Sequence, residues 1–288
     1  MSIIPQLIVN SIIAGSLYAL LALGFNLSYS ATKFFNLAHG VMATIGGYAT
    51  FYFSRHLGFN IYLSAVLGIF ISGLFGFILD KSVYLQMRKK KASNMILLVA
   101  SLGAFTAIQA VVAILFSSQF QTLSMVFENQ QIFTLFGATI TSVQLAVFIL
   151  SILATVILGL ILKFTKFGNA TLAISDDEEV ARIVGIDTNK IIGYVFFISS
   201  SLAGLAGILV GMDTGIQPTM GMNLLLKGVI ASIIGGVGNP WAGAVGAFIL
   251  GFVENFGIWK INGQWKDAIA FSVLIIFLLF KPNGLFKK

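Results

Sequence analysis

Long, continuous apolar runs constrain this chain more than any other feature of its sequence. A helix needs about 20 largely apolar residues to cross a bilayer. Six long, uninterrupted runs lie near 6–29, 61–80, 94–117, 142–162, 190–211 and 267–281, and all but the last reach that length. Three shorter, glycine-interrupted runs, which are candidates for further crossings or broken helices, lie near 36–54, 223–238 and 241–258. Together these runs predict eight or nine membrane-spanning helices.

The composition excludes a water-soluble fold. Of the 288 residues, 58% are hydrophobic and only 9% are charged, whereas a soluble domain carries about 25% charged residues. The apolar runs are also too long and too continuous for the strands of a membrane barrel. We therefore predict an all-α, polytopic integral membrane protein with a single transmembrane domain over residues 1–288. Its N-terminus lacks a basic region and a clear cleavage site, so we expect no removed signal peptide.

The basic residues predict the orientation in the cytoplasmic membrane. Basic loops stay on the cytoplasmic side, so the net charge of +7 reports topology and does not predict nucleic-acid binding. A nine-span arrangement with an outer N-terminus places every basic cluster inside and the connector 118–141, charged only at Glu128, outside. The clusters are Lys81 with Arg88 to Lys91, then Lys163, Lys166, Arg182 and Lys190, and finally Lys281, Lys287 and Lys288.

Two glycine-rich segments resemble each other. Residues 40–47 read Gly-Val-Met-Ala-Thr-Ile-Gly-Gly, and residues 228–236 repeat this pattern with one extra residue. In the predicted orientation the two copies run in opposite directions, as in transporters built from inverted repeats. Chance recurrence of small and apolar residues is the alternative. If the repeat is real, the pairs Gly46-Gly47 and Gly235-Gly236 are where the helices are expected to break and expose backbone dipoles to a solute.

The loop between 163 and 190 predicts a short amphipathic helix on the cytoplasmic side. Ser175 and Glu178 have the spacing of a capping box, and Gly185 is a natural helix stop. Val180, Ile183 and Val184 share one face. A solvated connector is the simpler interpretation, but an apolar face between charged flanks favours docking of a cytoplasmic partner. The acidic run that opens the helix consists of Asp176, Asp177, Glu178 and Glu179.

Three blocks of the sequence carry a family resemblance that extends over nearly the whole chain. Glu179-Val180-Ala181 followed by Gly185 resembles the coupling loop of ABC importer permeases, although Val180 replaces the commoner alanine. Residues 35–40 (Phe-Asn-Leu-Ala-His-Gly), with Gly46-Gly47-Tyr48, resemble the N-terminal signature of branched-chain amino acid permeases of the LivH type. Residues 227–239, with Gly243, Gly246 and Gly251, resemble the C-terminal block of that family.

The resemblance implies an assembly. Such permeases pair with a second permease subunit, bind two ATP-binding subunits in the cytoplasm, and receive solute from an extracytoplasmic solute-binding protein. The implied coupling residues are Asp176, Asp177, Glu178, Glu179, Ala181 and Gly185. The chain has no G-x-x-x-x-G-K-[ST] phosphate loop, so we expect ATP to be used by partner subunits and no cofactor to be bound here. The resemblance points to branched-chain amino acids, and other small amino acids, urea or a sugar stay open.

Several polar residues are candidates for the translocation path. Asn36 and His39 precede the 36–54 segment, and Asn94, Ser101 and Gln109 fall near one face of the 94–117 helix. Helix capping and helix packing are alternative uses of these side chains. The full set of candidates for the path is Asn36, His39, Gly46, Gly47, Ser101, Gln109, Gly235 and Gly236.

Lys227 and Glu254 are charges within apolar segments. Such charges are costly and face a partner or a cavity. In the predicted orientation both lie at the same depth, so they are expected to pair, unless each extends to the interface. With two histidines and no cysteine, neither a metal site nor a catalytic triad is expected. A secondary transporter is the alternative to an importer subunit, but it would usually need more ionisable residues deep within its membrane spans, to carry protons or sodium.

Overall fold

The computed structural model describes residues 3–123, 131–135 and 137–286, and it is almost entirely helical. Glu128, Lys287 and Lys288, which entered the topology prediction, lie outside the described residues. A short hairpin pairs β1 (Ile132–Leu135) with β2 (Ala138–Thr141). The helices are α1 (Ile4–Thr32), α2 (His39–Phe51), α3 (Ile61–Leu79), α4 (Leu85–Lys89), α5 (Asn94–Phe116), α6 (Ser142–Phe164), α7 (Lys166–Asp176), α8 (Glu178–Ile183), α9 (Thr188–Asp213), α10 (Met220–Gly235), α11 (Pro240–Lys260) and α12 (Lys266–Phe280).

Within the described residues, seven helices are long and apolar enough to cross a membrane: α1, α3 with its continuation to Lys89, α5, α6, α9, α11 and α12. The run near 241–258, predicted to be short, is part of a full-length helix of 21 residues, because Asn239 caps it and Pro240 begins it. The shorter α2 and α10 bring the embedded segments to nine. The all-α, polytopic fold predicted from the sequence is confirmed.

Two central helices organise the bundle. α1 packs against α9, α10 and α11, while α9 packs against α1, α2 and α3. Most of α1 and α9 is enclosed by protein, whereas most of the apolar surface of α5, α6 and α12 faces outward. Lipid can cover that outer surface, so its exposure is expected of a membrane protein.

The basic loops lie at one end of the bundle. Lys33, just after α1, donates a hydrogen bond to the carbonyl of Ser175 at 2.6 Å, and Lys81 donates one to the carbonyl of Asn189 at 2.6 Å. The C-terminal Phe286 borders the same cavity as Lys33 and Ser175. This end is therefore cytoplasmic. The β-hairpin and the bridge between Gln121 and Ile216 lie at the opposite, extracytoplasmic end.

An inverted repeat relates the two central helices and their followers. After α1, residues 33–38 lead back to the short helix α2 and then to α3; after α9, residues 214–219 lead to the short helix α10 and then to α11. α2 and α10 run in opposite directions, and their N-termini meet where the backbones of Gly40 and Gly221 touch. Aligning the helix starts pairs Gly40 with Gly221, so the sequence echo that paired Gly40 with Gly228 is out of register by two turns.

The predicted helix break at Gly46-Gly47 is wrong, whereas at Gly235-Gly236 the helix does end. Gly46 and Gly47 lie inside the unbroken α2, and Gly235 is the last residue of α10, with Gly236 in the following turn at φ +137°. Glycine at position 46 serves close packing instead, because a Cβ there would lie 2.5 Å from the Cα of Gly204 in α9. The interruptions of the chain fall at 33–38 and 214–219, before each short helix.

Two π-helical turns extend the first half of the bundle. Tyr52–His56 continues α2, and Asp80–Tyr84 joins α3 to α4. Such turns insert an extra residue into a helix and are frequent at functional sites. The second one carries a buried ion pair, described below.

Candidate transport path and coupling site

The interrupted segment at 33–38 is held by its own Asn36 and by polar side chains of the Asp80–Tyr84 turn and of α5. The amide oxygen of Asn36 accepts hydrogen bonds from the Ala38 N–H at 3.1 Å and from the Tyr84 hydroxyl at 3.0 Å. The hydroxyl of Ser101 accepts a bond from the Leu37 N–H at 3.0 Å. Asn36 and Ser101, both candidates for the path, therefore lie together and fix the backbone that leads into α2. Gln109 lies two turns further along α5 and is half-buried.

His39 lies at the start of α2, inside the bundle. Its Nε2 is 3.2 Å from the carbonyl oxygen of Leu21 in α1, and its Nδ1 has no partner among the described residues. The ring also packs against Gly24, where a Cβ would lie 2.8 Å from its Cε1. This contact joins the first turn of α2 to the middle of α1, next to the crossing of the two short helices.

The crossing of α2 and α10 is the geometric centre of the inverted repeat. Both helices begin there, so their positive N-terminal ends converge. The backbones of Gly40 and Gly221 are in contact, which leaves no room for a solute at this point. Of the glycines proposed for the path, Gly46 and Gly47 lie one to two turns from the crossing, while Gly235 and Gly236 lie at the cytoplasmic end and pack against Ala242 and the C-terminal segment.

Lys227 and Glu254 are in direct contact. Lys227 Nζ of α10 lies 2.6 Å from Glu254 Oε1 of α11 and 2.8 Å from Asp267 Oδ1 of α12. The Tyr18 hydroxyl of α1 donates a hydrogen bond to Glu254 Oε2 at 2.8 Å. Glu254 is completely buried, and a buried carboxylate is stable only when paired in this way. The pair expected from the sequence is thus part of a network that joins four helices; Asp267 and Tyr18 were not predicted.

A second buried ion pair was not foreseen. Asp80, in the π-turn after α3, is fully buried, and its Oδ1 lies 2.8 Å from Arg88 Nη1 of α4. The sequence carried a signal for it, because Asp80 is the only acid at the end of the 61–80 run and Arg88 follows two turns later. The pair lies close to Tyr84 and to the segment that Asn36 holds.

The cytoplasmic segment forms two helices, and its cap differs from the prediction. Ser175 lies within α7, and Asp177 caps α8 by accepting hydrogen bonds from the Glu179 and Val180 N–H groups at 2.8 and 3.0 Å. The predicted capping box of Ser175 with Glu178 is wrong because α7 continues to Asp176. Glu178 instead pairs with Arg182 at 2.8 Å and accepts a bond from the Thr188 hydroxyl.

The predicted stop at Gly185 forms as a left-handed C-terminal cap. Gly185 has φ +92°, its N–H donates to the carbonyl of Arg182, and the Ile186 N–H donates to that of Ala181. These two bonds define a Schellman motif. Asp187 then caps α9 through the Lys190 N–H. The helix α8 is therefore fixed at both ends.

α8 presents an apolar face that none of the residues described by the structure covers. Ile183 is 83% exposed, Val184 69% and Val180 54%, whereas Ala181 is buried against the membrane domain. Asp176, Asp177 and Glu179 surround that face with exposed acids.

Known proteins resemble this chain along its whole length. Residues 7–278 match the family described as branched-chain amino acid transport system, permease component. The chain is 29% identical to the high-affinity branched-chain amino acid transport system permease protein LivH of Escherichia coli K12, over 97% of this chain and 94% of that protein. The corresponding protein BraD of Pseudomonas aeruginosa PAO1 has the same identity over the same shares of both chains.

Two further comparisons bear on the fold and the solute. The ribose import permease protein RbsC of Haemophilus influenzae is 28% identical, over 99% of this chain and 85% of that protein. Among solved structures, PsaBC from Streptococcus pneumoniae in complex with Fab matches with a TM-score of 0.52 and 13% identity, over 98% of this chain and 93% of that one. At that identity the structural likeness concerns the fold alone.

Proposed function

The chain belongs to the family of branched-chain amino acid transport system permease components, and from that premise we propose that it forms the membrane path of an ATP-driven importer for branched-chain amino acids. It is a multi-pass permease subunit of the cytoplasmic membrane. The proposed solute is the one named for LivH and BraD. ATP hydrolysis belongs to partner subunits, and this chain acts by coupling to them and not as an enzyme.

The exposed face of α8 is the observation that carries the coupling role. Exposure of Ile183, Val184 and Val180 to water is unfavourable. Burying each such side chain against a partner would stabilise the complex by about 1.5–3 kcal/mol. Its caps at Asp177 and Gly185 keep it rigid, so a partner that binds it would move the whole segment. Contacts of Thr188 with Glu178 join α8 to the start of the central helix α9. Movement of α8 would therefore be passed to the centre of the bundle.

The proposed assembly contains a second permease subunit, two ATP-binding subunits and an extracytoplasmic solute-binding protein. The ATP-binding subunits would dock on α8 and its acidic flank, which includes Asp176, Asp177, Glu178 and Glu179. The solute-binding protein would dock at the opposite end, near the β-hairpin. The residues Asn36, His39 and Ser101, around the start of α2, remain our proposal for the inner part of the path.

A sugar as the solute is the alternative that the relative RbsC keeps open. The two classes of solute differ in charge, because an amino acid carries an ammonium and a carboxylate whereas ribose carries neither. The charged groups Asp213 and Lys266 at the extracytoplasmic end favour the amino acid.

The docking role is tested with Ile183→Asp and Glu179→Lys. Both side chains are exposed, and among the described residues neither forms an ion pair, so the variants are expected to insert and assemble their own helices normally. We expect either change to abolish ATP hydrolysis stimulated by the solute-loaded binding protein. Lys90→Glu, a charge change in another exposed cytoplasmic loop, is the matched control and should keep the stimulation. Normal stimulation in Ile183→Asp would contradict the assignment of α8.

A further inference from the structure

A cavity of about 300 Å³ lies at the extracytoplasmic end, where α1, α6, α9, α11 and α12 converge. It is distinct from the central crossing of α2 and α10. Its walls combine an acid, a base and amides with an apolar floor, and the residues that matter here are Asn10, Leu17, Gln144, Asp213, Asn255 and Lys266. None of these residues was singled out from the sequence.

Asp213 supplies an unbalanced negative charge to this cavity. It is the last residue of α9, where the negative end of the helix dipole makes a carboxylate unfavourable. The side chain of Gln144, which is fixed by the capping box at Thr141, lines the same cavity. Among the described residues no lysine, arginine or histidine forms an ion pair with Asp213. A bound ammonium group would balance this charge.

Lys266 supplies the opposite charge. It is the first residue of α12, and its Nζ lies 3.7 Å from Glu254 Oε2, beyond hydrogen-bond distance. Glu254 is already bound by Lys227 at 2.6 Å and by Tyr18 at 2.8 Å. The ammonium of Lys266 therefore keeps hydrogen-bond donors for another acceptor, since a lysine has three.

The floor and walls of the cavity suit the rest of a small amino acid. Leu17 and Ile13 of α1 offer apolar surface to an aliphatic side chain. Asn10 and Asn255 lie beside the charged groups; Asn255 is buried and donates to the carbonyl of Gly251, which leaves its oxygen as an acceptor. A neutral sugar would leave the charge of Asp213 unbalanced.

We infer that this cavity is an entry site for a zwitterionic aliphatic α-amino acid, with Asp213 binding the ammonium, Lys266 the carboxylate and Leu17 the side chain. The inference rests on the proposed function and adds the place and the groups that receive the solute. Because Lys266 also lies next to Glu254, a bound carboxylate would draw it away from the network that joins α10, α11 and α12.

Uptake of radiolabelled L-leucine tests the inference, using the complete importer in proteoliposomes with its binding protein. Loss of a charge-assisted contact lowers affinity by about tenfold, so Asp213→Asn and Lys266→Gln should each lower uptake at subsaturating leucine by about that factor. Asp213→Glu, which keeps the charge, should recover part of the uptake. Lys260→Gln, the same change at an exposed lysine of the same end, should match the parent. Parent-level uptake in Asp213→Asn, at equal amounts of inserted complex, would overturn the inference.

A labelling experiment separates solute contact from a structural defect. The chain has no cysteine, so Thr214→Cys places a single thiol on the rim of the cavity. In the purified complex without binding protein, L-leucine should slow its reaction with a membrane-impermeant methanethiosulfonate. 4-Methylpentanoate, which has no ammonium, should protect less, and Gln264→Cys, outside the cavity, should not be protected by either. Equal labelling of Thr214→Cys with and without leucine would overturn the inference, whereas a parent importer without ATP-dependent leucine uptake would instead contradict the proposed function.

Discussion

The two halves of the inverted repeat hold their short helices by different means. The eighth residue of α2 is Gly46, and the eighth residue of α10 is Lys227. At Gly46 the backbones of α2 and α9 are in contact, and Ser72 of α3 completes the contact by donating to the carbonyls of Met42 and Ser200, both at 2.8 Å. At Lys227 an ion-pair network joins α10 to α11 and α12.

The same topology is therefore compatible with two kinds of helix contact. Glycine contacts depend on close van der Waals packing, which is the main source of helix association in lipid. An ionic network tolerates greater separation and can exchange partners, but it is costly when a partner is lost. We therefore expect the α2 half to be sensitive to added volume and the α10 half to lost charge.

Lys227→Met should give the largest loss of stability. It leaves the fully buried Glu254 with only Tyr18 and the more distant Lys266, and removing one partner of a buried ion pair costs about 3–5 kcal/mol. Glu254→Gln should cost less, because Lys227 keeps Asp267 at 2.8 Å. Thermal unfolding in detergent measures both. The double variant should be more stable than the sum of the two losses predicts, and simple additivity would argue against direct coupling.

Gly46→Ala should give a smaller loss of stability. The added Cβ would meet the Cα and the carbonyl of Gly204 at 2.5 and 2.6 Å, and overpacking of this kind costs about 1–3 kcal/mol. Gly103→Ala is the matched control, since a Cβ at this exposed position of α5 meets no atom within 4 Å. There alanine should stabilise the helix by about 0.5–1 kcal/mol. Equal melting temperatures for the two variants would contradict the packing role of Gly46.

Removing the N-terminal caps of α3 and α11 should give the smallest losses of stability, and the two losses should be similar. Asn60 accepts a hydrogen bond from the Tyr62 N–H at 2.9 Å, and Asn239 accepts one from the Trp241 N–H at 3.1 Å. Because these caps occupy matching places in the two halves, Asn60→Ala and Asn239→Ala should each cost about 1 kcal/mol. Melting temperatures that fall by clearly different amounts would show that the halves differ in more than the contacts at Gly46 and Lys227.

Much of the architecture could be predicted from the sequence because lipid imposes a simple rule on helix length. The nine apolar segments, the all-α fold and the cytoplasmic basic loops follow from run length and charge placement. The stop at Gly185 follows from a local rule that depends on a few neighbouring residues.

What could not be predicted depends on contacts between distant residues. Gly46-Gly47 has the composition of a helix break, and only the neighbouring Gly204 reveals that it is a packing site. Asp213 and Lys266 are separated by more than 50 residues, and each resembles an ordinary helix-end charge until the fold places both in one cavity. The cap of α8 was misplaced by two residues because Ser175 and Asp177 are both good cap residues, and the extent of α7 decides between them.

Purification of the chain with its native partners, followed by an ATP hydrolysis assay, tests the account most directly. We expect an ATP-binding subunit and a second permease subunit to accompany this chain, and the solute-loaded binding protein to stimulate hydrolysis through the contact on α8. Recovery of the chain alone, with leucine uptake driven by an ion gradient, would contradict it and would identify a secondary transporter.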